Sequence, residues 1–485
     1  MDKSKSNSVS RLKKQSMIEC SDFLNFSQNY SQDMEERPSH ISFRHIAMET
    51  LSESYLTLPS PGGYTPTIPD DNESFLSSQT LYNQVLSVET IQFEFDIQAQ
   101  IYAALPNDIV CVPGRVFNLK HLVIDRPLTL KGSKSTTIII SDSILIDVCD
   151  KYRLAGDIVN NDVNIIGCKI LKCINDSGMP GDLFILNSPS SLCILDCSIA
   201  NKSGYNSVLR CSSPYETSVF SLKSCVISSF MHLSHGKPVK SISINLSTLS
   251  NFSEPLLCQL PNKLTAIKSL FNGMPAFIHT TVSDMAIIDI DNCQFTNFDD
   301  TVIDIDSCLT ACNVDCRITD CEFRDLNQAA INQKFVNCVS MVIGGCYFEK
   351  VAMNCIRLDG SKNVRVFNCD FKEIHGAAIL SLGSSYRFDK CTISRSLTGI
   401  TIFGETQSKP TRKPNPHLAL NFPLLNLEGL DGISCAIEIS SCVINDLIGS
   451  GIEISDTSNL ECLISNCTLT QCLNGILIRD FDAVN

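Results

Sequence analysis

A repeat of 22 to 28 residues, written five times between Ile287 and Ile402, is the feature that most constrains this chain. Each copy is built around a cysteine, with apolar or thiol side chains five and three residues before it and Phe or Ile two residues after it. In four copies a second apolar residue follows ten residues after the cysteine. A repeat of this length is typical of a stacked or radial array of structural units. The five cysteines are Cys293, Cys321, Cys346, Cys369 and Cys391.

The repeat consists of strands, because apolar and polar residues alternate instead of recurring at helical spacing. The alternation breaks just before the cysteine, where Gly, Asn or Asp stands in four of the five copies. These residue types tolerate a left-handed backbone, which turns a strand sharply. Two short strands with a bend between them and no helical segment describe one coil of a parallel β-solenoid, in which every strand pairs with those above and below it.

The same pattern continues on both sides of this stretch, with Ser replacing Cys at Ser247 and Ser269. We therefore predict an all-β solenoid of about twelve or more coils, which at a spacing of about 4.8 Å forms a rod about 60 Å long. The shared cysteines are expected to stack as a structural ladder inside it, beside a column of phenylalanines. The ladder consists of Cys168, Cys197, Cys225, Cys293, Cys321, Cys346, Cys369, Cys391, Cys442 and Cys467.

Cysteine content and charge constrain the compartment and the partners. The 25 cysteines would suit an exported disulfide protein, but the N-terminus lacks the apolar segment of a signal peptide. We therefore interpret them as small buried hydrophobes of a cytoplasmic protein, with a cytoskeletal or nuclear location as alternatives, and predict no metal site and no cofactor. The net charge of −14 argues against nucleic acid and anionic membranes as partners.

Composition divides the chain into two regions. Residues 1–88 are rich in Ser and Asn and are predicted to form a disordered arm and linker, whereas residues 89–485 form the solenoid. Phe93, Ile97, Ile101 and Leu105 recur at helical spacing before Pro106, which predicts a helix that caps the first coil. A proline-rich loop is inserted at 405–431. Its apolar residues are the predicted protein-docking residues, namely Phe422, Leu424, Leu425 and Leu427.

The run IQAQIYAALPNDIVCVPGRV, followed by LTLKG, resembles the entry segment of right-handed parallel β-helix proteins of the pectin-lyase-like superfamily. In those proteins a capping helix precedes a strand, a Pro-Gly turn and a strand that ends in Gly. Within the superfamily, the chain most resembles the non-catalytic intracellular group found in β-helix F-box proteins and in SHC-binding spindle proteins. The resemblance implies a right-handed, single-stranded β-helix that binds other proteins.

Many β-helix proteins act on polysaccharides, so the resemblance also implies an enzymatic alternative, a polysaccharide lyase or hydrolase. The candidate catalytic residues are Asp304 and Asp306, which should point outward between Ile303 and Ile305, and Arg357 two coils further on. Neighbouring coils do not repeat the carboxylates, and the chain has no Trp to serve as a platform for sugars. Polar side chains are needed on any outward face for solubility, so we predict that the protein is not an enzyme.

The favoured function is therefore a non-catalytic scaffold that binds other proteins inside the cell, and a structural rod of the cytoskeleton or axoneme is a further alternative. One end of the solenoid needs a partner more than the rest. The final coil, around Leu469, Ile476 and Ile478, has no covering element of its own in the sequence. We expect the N-terminal arm, a second copy or another protein to cover it, because bare solenoid ends expose strand edges and core.

Overall fold

A computed structural model describes residues 95–148, 162–173, 181–202, 206–212, 218–282, 285–307, 314–334, 340–360, 363–404, 435–455 and 460–479. Every described residue belongs to Phe93–Asn485, the second of the two units into which the chain divides. The predicted arm at 1–88 and the predicted loop at 405–431 lie outside the described residues.

The described residues form a parallel β-solenoid with three strand positions in each coil, preceded by one short helix. The first position gives a 14-stranded parallel sheet, here called the first sheet, so the expectation of about twelve or more coils is confirmed. Its strands are β1 (Ile109–Cys111), β4 (Leu128–Lys131), β7 (Asp162–Ile166), β10 (Ser191–Leu195), β13 (Val219–Lys223), β16 (Ser241–Asn245), β18 (Lys263–Ile267), β21 (Ala286–Asp291), β24 (Val314–Thr319), β27 (Ser340–Gly344), β30 (Val364–Phe367), β33 (Tyr386–Asp389), β36 (Cys435–Ser440) and β38 (Leu460–Ser465).

The second position follows the repeat position, meaning the place of the shared cysteine or of the residue that replaces it, and forms the second sheet, in which neighbouring coils again pair in parallel. Its strands are β2 (Val116–Leu119), β5 (Thr137–Ile140), β8 (Lys169–Lys172), β11 (Ser198–Asn201), β14 (Val226–Ser228), β17 (Thr248–Ser250), β19 (Leu270–Met274), β22 (Gln294–Phe298), β25 (Glu322–Leu326), β28 (Tyr347–Val351), β31 (Asp370–Ile374), β34 (Thr392–Ser394), β37 (Val443–Ser455) and β39 (Thr468–Arg479).

The third position forms the third sheet, which β37 and β39 join because both strands continue past the second sheet. Leu257 bridges its two halves, through Ser234 on one side and Ile278 on the other. The strands are β3 (Leu122–Ile124), β6 (Ile144–Ile146), β9 (Phe184–Leu186), β12 (Leu209–Cys211), β15 (Ser234–Gly236), β20 (Ile278–Val282), β23 (Ile303–Ser307), β26 (Ile331–Lys334), β29 (Ile356–Asp359), β32 (Ala377–Leu382) and β35 (Thr398–Phe403).

Two columns of left-handed residues turn the chain between these sheets. The residue before the repeat position has φ between 49° and 70° in all twelve predicted coils, even where it is Lys268, Lys390 or Leu246. Its backbone N–H donates a hydrogen bond to a carbonyl of the next coil, as Lys268 N–H does to the Asp291 carbonyl at 3.0 Å. Such backbone bonds offset the cost of roughly 1 kcal/mol that a non-glycine residue pays in this conformation.

The prediction of two strands per coil is wrong, because a second left-handed corner divides the segment after the cysteine. This corner lies four residues after the repeat position in ten coils, for example at Asn297, Lys350 and Glu373. Most of these residues are not glycine, so the alternation of residue types does not reveal the corner. The corner lies near the end of most second-sheet strands, as Asn297 does in β22, and creates an outward edge between the second and third sheets.

The interior is filled by columns of like side chains. Five phenylalanines stack with ring centroids 4.8 to 5.0 Å apart and planes within 12° of parallel. The aligned isoleucines of the third sheet form a second column, with Ile303 opposite Ile331 and Ile331 opposite Ile356. The stacked phenylalanines are Phe271, Phe295, Phe323, Phe348 and Phe371.

The helix before the first coil, α1 (Ile97–Ala103), begins at Asp96, whose carboxylate accepts hydrogen bonds from the N–H groups of Gln98 and Ala99. Ile97 and Ile101 are fully buried, but Leu105 is 68% exposed, contrary to its predicted place on the apolar face. The reason is that Ala104 already has an extended backbone, so the helix ends two residues before Leu105.

Candidate binding surface

The predicted catalytic residues lie on the outward face of the third sheet. Asp304 stands opposite Asn332 on the next strand, and Asn332 stands opposite Arg357. The Asp304 carboxylate accepts a hydrogen bond from Asn332 Nδ2 at 2.7 Å and lies 3.0 Å from His279 Nδ1. Asp304 is therefore held between side chains of the two neighbouring coils, which orders this column and occupies both oxygens of the carboxylate.

A second polar column runs beside the first. The register aligns Asp306 with Lys334, and Lys334 with Asp359. Arg357 Nη2 lies 3.5 Å from the Asp359 carboxylate. Burial raises the pKa of Asp359, and Arg357 partly opposes this shift. Acidic and basic side chains thus alternate along the column, an arrangement that neutralises charge across the face.

Both columns suit hydrogen bonding rather than metal binding. Within the ranges that the structure describes, no group of three or more His, Cys, Asp or Glu side chains is placed to hold a metal ion. What these columns offer chemically is a set of fixed hydrogen-bond donors and acceptors on a flat sheet.

The outer edge between the second and third sheets carries a groove of about 520 Å³. Its polar side chains come from four consecutive coils and pair between coils. Asp325 lies 3.7 Å from Lys350, and Asn327 Nδ2 donates to Asp299 Oδ1 at 3.2 Å. The polar lining residues are Asn297, Asp299, Asp325, Asn327, Lys350, Glu373 and His375.

Beyond the groove, the same edge becomes apolar. The position occupied by His375 in the groove is taken by Leu397, Ile448 and Leu473 in the next three coils. These three side chains, here called the ridge, are 45%, 77% and 76% exposed. Backbone hydrogen bonds hold the coils in line, for example from Gly449 N to the Leu397 carbonyl at 2.7 Å. An exposed apolar row on consecutive coils is typical of an interaction surface.

The sequence interpretation missed both the groove and the ridge, although a signal was available. The residue six positions after the repeat position is polar or small in four successive coils and then Leu, Ile and Leu. The sequence alone does not show that the residues at this position face outward, because their orientation depends on the second corner.

The cysteines of the predicted ladder lie inside the first corner, and all but Cys467 are buried. The thiols donate to the carbonyl two residues earlier, as Cys321 Sγ does to the Thr319 carbonyl at 3.1 Å. Ser247 makes the same contact, from Oγ to the Asn245 carbonyl at 2.8 Å. Burial raises the pKa of Cys197 to about 12, which keeps that thiol protonated.

The predicted docking residues Phe422, Leu424, Leu425 and Leu427 lie outside the described residues. No helix in the described part of the chain is both long and apolar enough to span a bilayer.

Comparison with known proteins finds the same architecture in part of this chain. A family model described as "Right handed beta helix region" matches residues 276–413. No curated protein matches the chain. Two solved structures from Azotobacter vinelandii are similar, the A-modules of the mannuronan C-5 epimerases AlgE6 and AlgE4, at 10% and 12% identity and a TM-score of 0.34. They cover 79% and 78% of this chain and 92% of their own chains, and this likeness is too weak to bear on function. Over residues 276–413 the chain is thus similar to right-handed β-helix regions.

Proposed function

We propose that this protein is a non-catalytic scaffold that binds other proteins along the edge formed by the groove and the ridge. The observation that carries the proposal is the ridge, in which Leu397, Ile448 and Leu473 stay exposed on three consecutive coils. Keeping apolar side chains of this size in water has no benefit for the solenoid itself, whereas complete burial of an exposed Leu or Ile side chain is worth about 1.5–3 kcal/mol, of which a partner would supply the part still exposed.

The groove adds hydrogen-bonding groups to this surface. Its charged side chains are paired within the protein, as Arg395 is with Glu373 at 3.0 Å. A partner would therefore gain hydrogen bonds there and apolar contact at the ridge. We also propose an intracellular location and membership of the non-catalytic intracellular β-helix group. The thiols of the predicted cysteine ladder form no disulfide bonds in the described part of the chain, which suits a reducing compartment.

Proximity labelling in the native cell tests this function. We compare the full chain with the variant Leu397→Lys/Ile448→Lys and with a matched control, Val226→Lys, which changes an exposed apolar residue of the second sheet. The expected result is a set of neighbouring proteins that the ridge variant loses and the control keeps, followed by loss of direct binding with the purified partners. An unchanged set of neighbours for the ridge variant contradicts the proposal.

The enzymatic alternative rests on one arrangement, the Asp304 carboxylate held between His279 and Asn332. It predicts cleavage of an acidic polysaccharide such as polygalacturonate in the presence of Ca²⁺, abolished by Asp304→Ala. The rod alternative predicts that the protein stays with the insoluble cytoskeleton and that the ridge variant does so equally. Our proposal predicts neither result.

A further inference from the structure

A pair of arginines stands on the outward face of the first sheet. The register places Arg365 of β30 opposite Arg387 of β33, so the two side chains leave neighbouring coils from the same column. Arg365 is half-buried, whereas Arg387 is exposed. Two like charges directly opposite each other on adjacent strands are unfavourable unless a counter-charge lies close to both. The surroundings of the two guanidinium groups therefore decide what this pair can bind.

An aromatic ring holds the Arg365 side chain in place. The Cζ atom of Arg365 lies 4.7 Å from the ring centroid of Phe367, two residues further along the same strand. The end of that ring lies over Gly344 of the neighbouring coil, where an added Cβ atom would collide with it. Only glycine permits this close approach. Stacking covers one face of the guanidinium and leaves the N–H groups on its edge as hydrogen-bond donors.

The charge of Arg365 lacks a close counter-charge among the described residues. Its Nε atom is buried without a hydrogen-bond partner there. Burial lowers the pKa of Arg365 and the positive charge of Arg387 lowers it further, whereas Asp389 opposes both effects. The Asp389 carboxylate accepts a hydrogen bond from Ser440 Oγ at 2.8 Å. Arg387 Nη2 lies 3.5 Å from Glu438. The pair thus keeps a local excess of positive charge at Arg365.

A second stacked arginine shows how such a charge is balanced elsewhere in the solenoid. The Cζ atom of Arg324 lies 5.0 Å from the ring centroid of Tyr347. Arg324 Nη1 also lies 3.0 Å from the carboxylate of Glu349. Arg365 has the same kind of stacking on Phe367, but no described residue provides it with a carboxylate in this way. The difference makes Arg365 a fixed cation whose donors are open to an anion.

We propose that Arg365 and Arg387 bind a phosphate monoester, the group carried by a phosphorylated side chain or by a phosphorylated metabolite. A guanidinium donates two parallel hydrogen bonds to an oxoanion. A phosphate monoester has three terminal oxygens and carries about −1.5 to −2 charges at pH 7, so one group can accept from both arginines and balance both charges. A carboxylate carries a single charge, which one guanidinium already balances. This site lies on the first sheet, apart from the groove and the ridge, and goes beyond the proposed function.

Isothermal titration calorimetry of the full chain tests the site with two probes, glycerol phosphate and a short phosphoserine peptide. We expect binding, and the tighter of the two probes identifies the source of the phosphate, a metabolite or a phosphorylated protein. Arg365→Gln keeps the apolar stem of the side chain but removes its charge, so it should weaken binding by about tenfold or more. Arg324→Gln, at the stacked arginine that has an ion pair, is the matched control and should leave the affinity unchanged.

Arg387→Gln should weaken binding by a similar factor, and it replaces the first variant if Arg365→Gln fails to fold, because the Arg387 side chain is 48% exposed. The ridge variant Leu397→Lys/Ile448→Lys should bind the probes like the unchanged protein, which separates failure of this site from failure of the proposed function. Absence of binding to both probes overturns the proposal, as does binding that neither arginine variant weakens. Equal binding of a peptide with Glu in place of phosphoserine also overturns it, because any carboxylate would then suffice.

Discussion

The two ends of the described solenoid solve the same physical problem differently. At the first coil, Ile97 and Ile101 of α1 are completely buried. The side chain of Gln98 makes the hydrogen bonds with β3 that a neighbouring strand would otherwise make. Its side-chain amide donates to the Val123 carbonyl at 2.9 Å and accepts from the Val123 N–H at 2.8 Å. At the last coil, Ile476 and Ile478 remain exposed, and the strand edges are free of pairing with any other described strand. Apolar cover and an edge hydrogen-bond partner are thus both present at β3 of the first coil, and neither is found at the last coil among the described residues.

This difference has an energetic consequence. In a solenoid each coil contacts only its neighbours, so the stability of a coil depends on whether it has a neighbour on both sides. Among the described residues, coils in the middle have a coil on both sides, β3 of the first coil has α1 beside it, and the last coil has a neighbour on one side. The same substitution should therefore cost more in the middle or at the first coil than at the last.

The largest difference is expected for a charge placed in the cysteine ladder. Cys346→Arg buries an unpaired charge at a site that is 1% exposed and should cost about 4 kcal/mol or more of unfolding free energy. Cys467→Arg, in the last coil, should cost less than about 2 kcal/mol because its side chain can reach water. Cys346→Ser is the control and should cost about 1 kcal/mol, since Ser247 and Ser269 occupy the same position in other coils. Urea denaturation measures all three, and equal losses for the two arginine variants would show that the last coil is as well covered as the middle.

A charge on the apolar cover tests the two ends directly. Ile101→Asp should cost about 3–5 kcal/mol and release the first coils, because Ile101 is fully buried beneath α1. Ile476→Asp should cost less than about 1 kcal/mol at protein concentrations too low for association. Tyr102→Asp, on the exposed side of the helix, serves as control. Circular dichroism during urea denaturation gives the values, and a large loss for Ile476→Asp alone would reverse the comparison.

The hydrogen bonds of the first coil can be removed while its apolar cover stays. Gln98→Met leaves the N–H and C=O of Val123 without their partner and should cost about 1–3 kcal/mol. Gln100→Met, at an exposed position of the same helix, should cost little. Hydrogen exchange at the Val123 amide should become faster in the first variant only. Unchanged exchange would mean that burial alone closes this end.

Thiol labelling of the folded protein should show the smallest effect, a difference in rate without a loss of stability. Cys472 in the last coil should react well before Cys168 and Cys197, which are buried and whose pKa values burial raises to about 11 and about 12. Because thiolate is the reactive form, raising the pH towards those values should accelerate labelling of the buried pair. Mass spectrometry after timed quenching identifies the modified residues. Equal rates at all three sites would contradict the difference between the last coil and the interior coils that hold Cys168 and Cys197.

The sequence by itself determined the repeat and the direct consequences of its period. The alternation around Cys293 and Cys321 fixes which side chains point inward, and the constant offset of each residue from the shared cysteine aligns like residues in neighbouring coils. That is why the stacked phenylalanines and the aligned Ile303 and Ile331 were predictable. The first corner was predictable because Asn, Asp and Gly mark it in most coils.

Only the tertiary structure decided the rest. Lys350 and Glu373 adopt a left-handed backbone at the second corner although nothing in their residue type favours it. The residues on either side of this corner pair with the neighbouring coil, as Glu349 does with Lys372 and Val351 with Ile374, and pairing between residues more than twenty positions apart leaves no local pattern. The outward edge with the groove and the ridge, and the His279 contact to Asp304, depend on this corner and on the register between coils. A periodic sequence specifies the column in which a side chain stands, whereas contacts between columns arise only when the coils are stacked.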